Sequence, residues 1–158
     1  MIVYVHGNIK REHIARFREV SFVFGDNLRR EGYGGQAREF RGEPNAVGIY
    51  TKVLPSRNSG SYFSDEQYDY FATRMDESFY PLLTAKIIAV PVIDKTAKQT
   101  SMGTGLALLD IKAPRLYAHM IDRLEQIAKD RPHIIQSSRD EDWDRLKTII
   151  QLYLRTIK

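Results

Sequence analysis

Apolar residues fall in short runs along the chain, separated by polar, glycine-bearing segments. Ile2 to Val5, Val20 to Phe24, Ala46 to Tyr50, Lys86 to Val90 and His133 to Gln136 each predict a strand. Between them the period lengthens to that of a helix. Ile9 to Arg18 and about Gln36 to Arg41 predict short helices. Tyr68, Phe71, Met75, Phe79 and Leu82 form one apolar stripe, and Ser64-Asp65-Glu66-Gln67 before it has the form of a capping box. Pro114 suits a helix start, with Leu116, Met120, Leu124 and Ile127 on the core face. A second capping box, Ser138-Arg139-Asp140-Glu141, precedes Trp143, Leu146, Ile150, Tyr153 and Ile157. Strands alternating with helices predict an α/β domain, with helices covering a mixed or parallel sheet. No repeat, low-complexity tract or linker divides the chain, so residues 1–158 read as a single domain.

Two loops break this pattern in a way that suggests chemistry. After the strand ending at Phe24 the chain turns through Gly25, Asp26 and Asn27, then passes Gly32, Gly34 and Gly35 before Ala37. A strand, a glycine-rich turn and a helix start can hold phosphate, because glycine lets the backbone approach and free N–H groups face the anion. A plain tight turn fits the same residues. The spacing is neither a dinucleotide fingerprint nor a Walker A loop. A second polar loop, Asp94 to Gly105, follows the fourth strand. In layered α/β folds ligands sit at the carboxyl ends of strands, where both loops lie.

Composition narrows the field. The 158 residues are 42% apolar and 28% charged, with a net charge of +4, which suits a soluble globular protein. The charge is spread along the chain, and no basic helix or aromatic ladder points to nucleic acid. Cysteine is absent, which excludes disulfides and thiolate metal sites and fits a reducing cytoplasm. No apolar run could span a bilayer, and no secretion signal is seen, so the expected location is cytoplasmic. His6, His13, His119 and His133 lack metal-ligand spacing, so neither a metal nor a cofactor is expected. There is no Gly-x-Ser-x-Gly elbow.

Several motifs in order carry a family resemblance. Phe24-Gly25-Asp26-Asn27-Leu28, with Gly32, Gly34-Gly35 and Ala37, resembles the first ligand loop of macrodomain-like proteins. It is most similar to a small phage-associated macrodomain-like group with Phe-Gly-Ser-Asn-Leu at this place. Ile49-Tyr50-Thr51-Lys52 resembles that group's next strand end, and Met102-Gly103-Thr104-Gly105-Leu106-Ala107 its second glycine loop. Ala113-Pro114 fits the helix that follows. The match covers about Val20 to Leu124. Asp26 departs from the group's serine, and Tyr50 from its proline. A carboxylate at 26 would repel a diphosphate unless it met a sugar hydroxyl or a water.

The resemblance implies a three-layer α/β/α sandwich with a mixed central sheet that binds ADP-ribose or a related NAD-derived nucleotide. Some such proteins hydrolyse ADP-ribosyl bonds and others only bind. By this analogy the first loop lines the distal ribose, and Gly103 to Leu106 hold the diphosphate. Asn27 and Asp26 become the candidates for placing water or meeting ribose hydroxyls. Gly25, Gly34, Gly35, Gly103, Thr104, Gly105 and Leu106 become ligand contacts, and Lys52 an anion contact at a strand end. Each has a plainer reading: Asn27 and Asp26 as turn residues, the glycines as turn geometry, Lys52 as a solvated lysine. Arg29, Arg30 and Arg38 read as surface charges, and the roles of Asp94, Lys95 and Lys98 stay open. Tyr62, Tyr68, Tyr70 and Phe71 suit helix packing better than a base-stacking face. The principal alternative is a non-catalytic, phage-type accessory protein that sequesters a nucleotide signal or contacts a host protein.

Overall fold

The computed structural model describes residues 1–97 and 99–157. Lys98 lies outside the described residues. Five strands form one sheet in the order β3-β2-β4-β1-β5: β1 Ile2–His6, β2 Ser21–Asn27, β3 Ala46–Lys52, β4 Ile88–Val92 and β5 His133–Ser137. The helices are α1 Arg11–Arg16, α2 Ala37–Phe40, α3 Tyr68–Phe79, α4 Leu109–Lys112, α5 Pro114–Ala128 and α6 Asp140–Thr156. Every strand pairing is parallel, so the expectation of a mixed sheet is corrected. The cause lies in the connections. Each strand is followed by helix, which returns the chain to the same end of the sheet before the next strand begins.

Side-chain alternation along the strands separates two cores. Ile2, Val23, Ile49, Ile88, Val90 and Val92 face α3 and α5, through Phe71, Met75, Phe79, Leu116 and Met120. Val3, Val5, Phe22, Phe24 and Ala89 face the other way, toward Ile14, Phe17, Ala37, Phe40, Trp143, Leu146 and Ile150. Helices thus cover both faces of the sheet. The predicted stripes are the ones buried, although α3 stops at Phe79, and Leu82 is buried from a 3-10 turn over Tyr80–Leu82 that contains Pro81. Ile157 falls just past α6 and is exposed. No helix among the described residues is long and apolar enough to cross a membrane.

The caps differ in detail from the sequence reading. Ser64 does accept from Glu66 N, but it opens a 3-10 turn over Asp65–Gln67 rather than α3 itself. Asp65 then reaches across to cap α5, accepting from Arg115 N at 3.0 Å and Leu116 N at 3.1 Å. At α6 the box moves off Ser138 and Glu141. Arg139 occupies the cap, and Asp142 accepts from Ser137 N at 2.9 Å and from its hydroxyl. These bonds hold the Asp142 carboxyl below its usual range.

The topology opens a crevice beside β2. That strand leads into α2 on one face, while its neighbours β3 and β4 lead into α3 and α4–α5 on the other. Chain diverging in opposite directions from adjacent carboxyl ends leaves a gap between them, where layered α/β proteins bind ligands.

Candidate functional site

The two glycine loops meet in this crevice. A Cβ at Gly25 would lie 3.1 Å from Thr51 Oγ1 and 3.2 Å from Gly103 N, so the ends of β2 and β3 and the loop after β4 pass so close that a side chain would fit only if they moved apart slightly. A Cβ at Gly34 would lie 2.9 Å from Leu106 Cδ1, which brings the far parts of both loops into contact. Gly103 has φ +77, a conformation that glycine adopts at little cost. Gln36, read from sequence only as a helix start, ties the loops together. Its side-chain oxygen accepts from Gly25 N at 3.2 Å, and its amide donates to Ser101 Oγ at 3.1 Å.

Between the loops lies a cavity of about 170 Å³. Its walls include Gly25, Asp26, Asn27, Gly34, Arg41, Thr51, Lys52 and Leu106. Of the expected contacts, Gly35, Gly103, Thr104 and Gly105 stand behind or beside this wall rather than in it. The backbone N–H groups of the wall residues Tyr33, Gly34, Leu106 and Ala107 have no acceptor among the described residues. Thr104 has already donated its hydroxyl to Ser101 O at 2.8 Å.

The carboxylate of Asp26 points into the protein. Its side chain is 1% exposed and paired with Arg41 at 2.6 Å and Arg30 at 3.3 Å. Arg41 also donates from Nε to Gly32 O at 2.6 Å and from its terminal nitrogen to Glu31 O at 3.2 Å, so the pair anchors the first glycine loop. Asn27 does the same from inside the turn. Its amide donates to Glu31 O at 2.7 Å, and its oxygen accepts from Arg29 N at 3.0 Å and Glu31 N at 3.4 Å. In these positions both residues build the loop and border the cavity.

Lys52 is different. It is 9% exposed, borders the cavity, and has no hydrogen-bond acceptor or carboxylate partner among the described residues. Its Nζ lies over the Tyr62 ring at 4.6 Å, and the same ring carries Lys112 Nζ at 4.5 Å. Burial, and secondarily the charge of Arg57, push the Lys52 pKa below its ordinary value. A register shift aims the side chain. Asp26 pairs with Tyr50 and Asn27 with Lys52, so β3 carries one extra residue and both Thr51 and Lys52 border the cavity. Such bulges re-aim side chains next to sites.

Arg29, Arg30 and Arg38 are exposed, as expected, and Arg30 also reaches Asp26 and the face of Tyr50 at 4.5 Å. Asp94 caps its own turn, accepting from Thr96 N at 2.9 Å. His119 lies away from the cavity, between Tyr68 and Asp76 on α3. Among the described residues no group of three or more His, Asp or Glu side chains could hold a metal ion.

A family model described as a family of unknown function (DUF7831) matches residues 4–123. The chain belongs to that family. The matched span runs from β1 into α5 and contains both glycine loops, Gln36, Arg41 and Lys52. It leaves β5 and α6 outside. No curated protein and no solved structure matches the chain.

Proposed function

We propose that the crevice is a macrodomain-like ligand site that binds the phosphate-bearing part of ADP-ribose or a related NAD-derived nucleotide. The observation that carries this reading is Lys52, a largely buried lysine whose ammonium borders the cavity with no carboxylate paired to it among the described residues. A charge left uncompensated in this way is costly, and an anionic ligand offsets that cost. The free N–H groups of both loops add donors of the kind that bind phosphate oxygens. Asp26 and Arg41 neutralise each other, so they leave the field of Lys52 unopposed.

Cavity size narrows the ligand. About 170 Å³ is less than the roughly 300 Å³ at which small-molecule sites usually begin. It suits a sugar phosphate, with the rest of a nucleotide lying over Leu106 and Tyr33 at the rim. With Asp26 and Asn27 engaged in the loop, no free carboxylate borders the cavity except the exposed Glu31. This favours binding without turnover, and with it the accessory reading in which the protein sequesters a nucleotide.

The test is calorimetric titration with ADP-ribose, ADP and inorganic phosphate, each against the protein and a Gly34→Val variant. We expect micromolar binding of ADP-ribose. The valine side chain presses on Leu106 and should weaken that binding at least tenfold without changing the melting temperature by more than a few degrees. Equal affinity in both proteins would remove the loops from the site.

A further inference from the structure

We propose that the Lys52 amine captures a phosphorylated reducing sugar as a reversible Schiff base. The inference rests on the anion-site reading above and adds a covalent step to it. Lys52 is the last residue of β3, held by Leu28 N donating to its carbonyl at 3.0 Å. The register shift turns its side chain into the cavity beside Thr51. The side chain therefore rises from a rigid element, largely buried, and its amine has no hydrogen-bond acceptor among the described residues.

Its surroundings ease the loss of a proton, which gives the form that attacks a carbonyl. Burial penalises the ammonium, and the nearby charge of Arg57 penalises it further. Pro55, Leu106 and Ala107 supply apolar surface at the rim of the cavity. The free N–H groups of the loops would hold the phosphate while the other end of the sugar meets the amine.

The step balances without a co-reactant. The lone pair of Nζ adds to the aldehyde carbon of the open-chain sugar and a C–N bond forms. The carbonyl oxygen takes up two protons in sequence and leaves as water, and the amine loses its two. The products are one imine and one water, with no change in oxidation level. ADP-ribose and ribose 5-phosphate have the free anomeric carbon this requires, whereas ADP and NAD do not.

The experiment is reductive trapping. The protein is incubated with ribose 5-phosphate or ADP-ribose and sodium cyanoborohydride, then digested and read by mass spectrometry, with calorimetric titration of ADP-ribose and ADP alongside. We expect Lys52 to gain the mass of the sugar phosphate less one oxygen, at least tenfold above any other lysine. Lys52→Arg, checked for folding by thermal melting, should gain nothing at this position. Binding of ADP-ribose with no adduct at Lys52, or labelling spread evenly over surface lysines, would overturn the Schiff base and leave the anion site standing. Binding of neither nucleotide would overturn the site itself.

Discussion

Replacing Asp26 with alanine lowers the free energy of unfolding by about 3–5 kcal/mol, the usual cost of removing one partner from a buried ion pair. Alanine leaves Arg41 with no counter-charge beneath the first glycine loop. It also removes the acceptor for Asn27 N at 2.8 Å. The loop should loosen with it, because Arg41 is what holds the carbonyls of Glu31 and Gly32. Gly48 shows how tightly the carboxylate is housed, since a Cβ there would lie 2.5 Å from Asp26 Oδ2. Urea denaturation of the two proteins measures the effect. An alanine variant as stable as the parent, yet devoid of a turnover the parent displays, would make Asp26 a general base after all.

Replacing Lys52 with methionine should have the opposite signature. Methionine fills similar space and needs no partner, so stability should hold or rise. Binding of ADP-ribose should fall by about 1.5–3 kcal/mol, the worth of a hydrogen bond to a charged group, which is roughly tenfold to more than a hundredfold in affinity. The pH dependence gives an independent check. The folded pKa of Lys52 is lowered, so the unfolded chain holds the proton more tightly than the folded one. Stability of the parent should therefore rise with pH between that lowered value and the ordinary 10.5, and this contribution should be absent from the methionine variant. A variant that binds as tightly as the parent would leave the anion without its proposed anchor.

The strands and the helix stripes were legible because burial on one face leaves a period in the sequence. Val23 and Phe24 illustrate it, as neighbours that enter opposite cores. The parallel sense of the sheet was less legible, since the same alternation of strands and helices allows a mixed sheet. The glycine loops beside the crevice could be read, because their spacing is local, although of the glycines expected as contacts only Gly25 and Gly34 border the cavity. The wiring of the site could not. Arg41 lies 15 residues from Asp26 and Gln36 lies 65 from Ser101, and nothing local marks either pair. Asn27 shows how one residue type carries two readings: it suits a ribose contact and a turn, and in the fold its amide closes the turn while the residue borders the cavity. For Lys52 the sequence left an anion contact and a solvated lysine both open, because a register shift and the ring of Tyr62 are invisible in sequence.

The measurement that tests the central claim most directly is an amide-resolved NMR titration of the protein with ADP-ribose. The account predicts that the largest shifts fall on Gly25, Gly34, Gly35 and the stretch from Gly103 to Ala107, together with Lys52, while the amides of α6 stay still. Shifts confined to other surfaces, or none at millimolar ligand, would contradict it.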